Sequence, residues 1–134
     1  MIDLSKLHAV IVDDGILKAI DIRKALNFNR ITNVDIVSNQ EKVWNAIYES
    51  NSGSKKVDLI VTDMQYPLTA GGRVDRDAGF KLIERMKEEQ IEIPVIICST
   101  GNYEGATGIL GSVWYRGDAG DLGADFKEVL GRLS

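Results

Sequence analysis

Val57-Asp58-Leu59-Ile60-Val61-Thr62-Asp63 is a short apolar run that ends in a carboxylate. Val57, Leu59, Ile60 and Val61 suit a buried strand, and the run is too short for a helix. Pro67 breaks the chain soon afterwards. Working outward, His8-Ala9-Val10-Ile11-Val12 is a second run of the same kind, and it also ends in acid, at Asp13 and Asp14. In an open α/β sheet, ligand chemistry gathers outside the C-terminal ends of the strands. Two neighbouring strands that end this way bring three carboxylates together. Such a cluster repels itself unless a cation neutralises it, and all-oxygen ligands suit Mg²⁺. One carboxylate could then serve as a nucleophile.

The remaining elements alternate around these two runs. Residues 15–26 predict a helix with Ile16, Ala19, Ile20, Ile22 and Leu26 on a broad apolar face interrupted by Arg23. A second strand is expected over 34–37. A helix follows over 40–49, with Val43, Trp44 and Ile47 at helical spacing and Ser38 or Asn39 as its cap. Residues 51–56 read as a polar turn. The third strand spans 57–62. Residues 78–89 predict a helix whose Gly79, Leu82, Ile83 and Met86 share a face. Residues 94–98 are apolar throughout, as a central parallel strand should be. A short fifth strand over 113–116 precedes a helix over 122–133, whose stripe is Leu122, Phe126, Val129, Leu130 and Leu133. Alternation of this kind implies a parallel sheet covered by helices on both faces.

Two segments are irregular. The link from Asp63 to Ala78 is long and holds Gly71, Gly72 and the charged run Arg73-Val74-Asp75-Arg76-Asp77. Long loops in compact domains are usually functional or disordered. Gly101, Gly105, Gly108 and Gly111 crowd the segment before the fifth strand, and each glycine inside a helix costs about 1 kcal/mol relative to alanine. Any helix there should be short or poorly held.

Composition narrows the class. A chain of 134 residues has room for one domain with a real core, so residues 1–134 are expected to form a single domain. Its 44% hydrophobic and 27% charged residues are those of an ordinary globule. A net charge of −4, with no dense Lys/Arg cluster, disfavours nucleic-acid binding through a basic face. The single cysteine, Cys98, excludes an intramolecular disulfide and suits the core of a cytoplasmic protein. No signal peptide or membrane-length apolar run is visible, so no membrane partner is expected.

Four motifs then fall into one pattern. They are Val10-Ile11-Val12-Asp13-Asp14, Leu59-Ile60-Val61-Thr62-Asp63 with Pro67 beyond it, Ala78-Gly79-Phe80 opening a helix, and Ile93-Pro94-Val95-Ile96-Ile97-Cys98-Ser99. Singly they are weak, but in this order and spacing they are specific. The chain resembles a response-regulator receiver domain over nearly its whole length. The resemblance implies an α/β, flavodoxin-like, doubly wound five-stranded parallel sheet with helices on both faces, the fourth helix being short or irregular. It implies a two-component phosphoacceptor, a carrier of one phosphoryl group rather than a turnover enzyme. Asp63 is then the acceptor of a phosphoryl group from a histidine kinase or phosphotransfer protein. Asp14 binds Mg²⁺ directly, Asp13 through water, and the backbone carbonyl of Gln65 completes the ligands with Asp63. Ser99 matches the family's switch hydroxyl. An unidentified downstream protein reads the switched surface, and a homodimer is compatible. No output domain is expected after the last helix.

The departures from the family matter as much. Arg116, followed by Gly117, stands where the family has a lysine at the end of the fifth strand. Arginine keeps the charge but differs in reach and geometry. Val113 occupies the place of the family's aromatic switch. The long link beside Asp63 reads as an insertion, an access loop with Gly71, Gly72 and Arg73. Two functions follow from these features. One is a phosphorylation-driven switch of a protein-binding surface. The other is a degenerate receiver that binds a partner or dimerises without phosphorylation.

Overall fold

The computed structural model describes residues 2–50, 56–117 and 121–133, so most of the polar turn expected over 51–56 lies outside the described residues. Strands β1 (His8–Val12), β2 (Asn33–Val37) and β3 (Leu59–Thr62) are joined by helices α1 (Ile16–Phe28) and α2 (Gln40–Ser50). A small hairpin, β4 (Tyr66–Pro67) with β5 (Val74–Asp75), follows β3. Helix α3 (Ala78–Glu88), strands β6 (Val95–Ser99) and β7 (Gly111–Trp114), and helix α4 (Leu122–Leu130) complete the chain. The large sheet is parallel and ordered β2-β1-β3-β6-β7.

Side-chain alternation along the strands divides the core into two layers. Ala9, Ile11, Leu59, Val61, Ile96, Cys98 and Val113 meet α1 and α4 through Ala19, Ile22, Leu26, Phe126 and Val129. Val10, Val12, Ile60 and Val95 meet α2 and α3 through Val43, Trp44, Ile47, Leu82 and Met86. Residues of β1, β3 and β6 are therefore buried on both faces, and each large apolar side chain contributes about 1.5–3 kcal/mol by leaving water. His8, at the start of β1, is structural. Its Nδ1 lies 3.0 Å from the Lys56 carbonyl and its Nε2 lies 2.7 Å from Asp35 Oδ2.

Several element ends differ from the sequence expectation. Helix α1 starts at Ile16 with Gly15 as its cap, and Ile16 is 76% exposed rather than on the buried face. Leu17, beside it in the first turn, is 79% exposed as well. Asn39 is the residue that caps α2, with Oδ1 accepting from the Lys42 N–H at 3.0 Å. Strand β7 spans Gly111–Trp114 and not 113–116, because its pairing ends with β6 at Ser99↔Trp114. Gly111 lets α4 approach closely: a Cβ there would lie 2.7 Å from Val129 Cγ1. Residues 100–110 form turns and bends with no helix, consistent with their glycines, and Gly108 has φ +78°. The insertion is ordered as the hairpin. It turns at Gly71, with φ +73°, and the Leu68 carbonyl accepts from the Glu41 N–H at 3.0 Å.

Candidate functional site

The register that pairs Val12 with Thr62 places Asp13 and Asp63 one residue beyond adjacent strands. The ladder continues through both acids. The Asp63 N–H donates to the Val12 carbonyl and the Asp13 N–H to the Val37 carbonyl, each at 3.0 Å. One carboxylate oxygen from each of Asp13, Asp14 and Asp63 lies within 4.8 Å of the others. Asp13 is buried, Asp63 half-buried and Asp14 exposed. Asp13 Oδ1 accepts from the Gly15 N–H at 2.8 Å, and Asp63 Oδ1 accepts from its neighbour Met64 N–H at 2.7 Å.

The structure adds a residue that the sequence reading missed. Lys18, in the first turn of α1, places Nζ 2.9 Å from Asp13 Oδ2 and 3.0 Å from Asp63 Oδ1. The contact with Asp13 is an ion pair without hydrogen-bond alignment, since Oδ2 has no hydrogen-bond partner among the described residues. Burial pulls the Lys18 ammonium down, but the Asp13 contact and the charges of Asp13 and Asp63 outweigh it, so its pKa is raised. Burial raises the Asp13 carboxyl, against the lowering effect of Lys18. The signal for Lys18 was present in the sequence: a cation in the turn directly after an acid pair.

Below Asp63 lies a buried polar network. Thr62 Oγ1 is 2.7 Å from the Asp63 carbonyl and 2.9 Å from the Tyr66 hydroxyl. Gln40 Nε2 donates to the Ala78 carbonyl at 2.8 Å and lies 3.4 Å from the Tyr66 hydroxyl. Burial pushes the Tyr66 hydroxyl up to about 12. These contacts fix the backbone on which the acceptor candidate sits.

The other expected site residues divide. Ser99 ends β6 at the same sheet edge, buried, and its Oγ accepts from the Gly101 N–H at 3.2 Å. Gln65 is exposed, between the buried Met64 and Tyr66. Arg116 lies beyond the end of β7 and is exposed, its guanidinium 5.4 Å from the Trp114 ring centroid. No ion pair joins it to Asp13 or Asp63 among the described residues; the cation there is Lys18. Gly71, Gly72 and Arg73 are exposed at the hairpin turn. The donor set is all oxygen, and Asp13 Oδ2 is buried without a hydrogen-bond partner, so the residues fit a hard divalent cation.

Comparison of the whole fold with solved structures is decisive for architecture. The chemotaxis response regulator CheY4 of Vibrio cholerae superposes with a TM-score of 0.64 at 16% identity, over 95% of this chain and 98% of that one. This chain has the receiver fold. The isolated REC domain of RcsB from Salmonella enterica serovar Typhimurium, with phosphomimetic BeF3-, superposes with a TM-score of 0.66 at 19% identity, over 93% and 88%. RcsB from the same organism, bound to promoter rprA, gives a TM-score of 0.65 at 20% identity, and the receiver-fold chain spans 62% of it. No family model matches the sequence, and no curated protein matches it. No helix among the described residues is long and apolar enough to cross a membrane.

Proposed function

We propose that this chain is a phosphoacceptor receiver of a two-component system. The observation that carries the reading is the meeting of Asp13, Asp14 and Asp63 at the C-terminal end of a parallel sheet, with a cation already set among them. Asp63 Oδ1 is engaged by Lys18 and the Met64 N–H, which leaves Oδ2 to attack. The Oδ2–P bond forms as the P–N bond of a partner's phosphohistidine breaks, and the electron pair returns to the imidazole. Asp13, Asp14, Asp63 and the backbone carbonyl of Gln65 would hold Mg²⁺. When bound, the metal neutralises charge on the transferring oxygens. Ser99 would turn its hydroxyl from the Gly101 N–H to the phosphoryl group, changing the surface beside β6 and β7 for a downstream protein. The partners are thus a histidine kinase or phosphotransfer protein and a reader of that surface. The hairpin carrying Gly71, Gly72 and Arg73 would tune access to Asp63, since it starts at Tyr66, three residues beyond the acceptor.

A second reading draws on Lys18 itself. A buried ammonium bridging Asp13 and Asp63 could be a permanent structural pair, in a module that binds its partner without phosphorylation. Intact-protein mass after incubation with a small-molecule phosphodonor separates the two. The wild type should gain one phosphoryl mass, and only with a divalent cation, while Asp63→Asn should gain none. Equal labelling of Asp63→Asn overturns the acceptor assignment. An unmodified wild type favours the second reading.

A further inference from the structure

A lysine in the first turn of a helix works against the macrodipole. Lys18 stands there, with only 11% of its side chain exposed. Burial of a charge is unfavourable without a partner. Its two partners are the carboxylates, at 2.9 Å to Asp13 Oδ2 and 3.0 Å to Asp63 Oδ1. The oxygens that this ammonium holds belong to the same set that a divalent cation would need. Two cations cannot share them at contact distance without strong repulsion.

We propose that Lys18 is the resident cation of the site, which competes with the divalent metal for Asp13 and Asp63 and, once displaced, turns onto the phosphoryl group at Asp63. Only the second half of this statement rests on the phosphoacceptor reading. The displaced ammonium has little room to wander. Its ring neighbour Tyr115, 5.8 Å from Nζ, donates to Asp21 Oδ2 at 2.6 Å, on the helix that carries Lys18. The start of that helix is tied to the site by the Gly15 N–H on Asp13 Oδ1. Lys18 can therefore leave Asp13 and still remain at the sheet end. Arg116 does not compete for this role, since its guanidinium faces Trp114.

The test starts without any phosphodonor. Mg²⁺ is titrated calorimetrically into the full chain and into Lys18→Met. The variant should bind Mg²⁺ about tenfold more tightly, because a close like charge has been removed. Equal or weaker binding, or no binding by either chain, overturns the competition. Beryllofluoride is then titrated at saturating Mg²⁺. The variant should bind it about tenfold more weakly, having lost a charge-assisted contact. Equal binding overturns the transfer of Lys18 to the phosphoryl group. Should Lys18→Met fail to fold, reductive methylation of the wild type gives the answer. Lys18 should react slowly alone and faster once Mg²⁺ is added, and unchanged protection overturns the competition. Failure of the phosphoacceptor reading has a different signature: no mass gain, with the two Mg²⁺ titrations still distinct.

Discussion

Gly79→Ala sets two effects against each other, and the structure decides between them. Gly79 is the second residue of α3, and its N–H donates to the Met64 carbonyl at 3.1 Å. Alanine in a helix interior is favoured over glycine by about 1 kcal/mol. Against this, a Cβ at residue 79 would lie 2.7 Å from the Asp63 carbonyl oxygen and 3.2 Å from both Met64 Cα and Met64 Sδ. The methionine sulfur can move aside, but the carbonyl is backbone and cannot. Thr62 Oγ1 holds it at 2.7 Å, and the Asp63 N–H is tied to β1. The start of α3 must therefore shift away from the Asp63 backbone. Overpacking of this kind costs about 1–3 kcal/mol, and the propensity gain is reduced at a helix end. The expected net loss is about 1–2 kcal/mol. With a urea m-value of about 2 kcal/mol/M, the unfolding midpoint should fall by about 0.5–1 M. Gly105→Ala is the control, because nothing lies within 4 Å of its added Cβ. It should stay within about 0.5 kcal/mol of the wild type. If Gly79→Ala is as stable as the wild type, α3 does not seat against the Asp63 backbone as described.

Four further outcomes are expected. Cys98 is fully buried and its thiol is pushed up to about 12, so Ellman's reagent at pH 8 should leave the native chain unlabelled and react fully in urea; labelling of the native chain at a free thiol's rate would refute the core placement. Because that folded value lies above the ordinary 9.0, the stabilisation it gives is complete below pH 9 and is lost as pH rises towards 12; Cys98→Ala should flatten that part of the stability profile. Arg116→Ala should cost less than about 1 kcal/mol, the value of an exposed cation–π contact, and should leave the mass gain at Asp63 unchanged; loss of that gain would make Arg116 a partner of the acceptor. Replacing residues 69–73 by a tight turn should keep the fold by circular dichroism and shorten the lifetime of the phosphoryl group on Asp63; an unaltered lifetime would remove the hairpin from the access pathway.

What could be read from the sequence follows from how each element is buried. Strands β1, β3 and β6 are covered on both faces, so they appear as unbroken apolar runs and announce a parallel sheet. Helix α4 shows its stripe because one face alone packs, through Phe126, Val129 and Leu130. Ends are different, because neighbours set them. Strand β7 stops where β6 stops, and no local residue preference marks Trp114 as its last member. The hairpin was illegible for a related reason. Its strands have two residues each, too few for any period to show, and they exist only through the pairs Tyr66↔Asp75 and Pro67↔Val74.

The site divides along the same line. Asp13 and Asp63 were legible because each directly follows a strand, and a parallel register carries the ends of neighbouring strands to one place. The same logic does not reach the cation beside them. Lys18 comes from a helix. In a helix every Cα–Cβ bond tilts towards the N-terminus, and long side chains lie back over the preceding turn. Helix α1 begins just beyond the acidic end of β1. A long side chain in its first turn is thus aimed back at the carboxylates that precede it. Ile16 and Leu17 stand in that same turn and face solvent, 76% and 79% exposed, while the lysine beside them is drawn in. Burial has followed charge rather than hydropathy at this turn, and an apolar-periodicity reading of α1 therefore selects Ile16 and passes over Lys18.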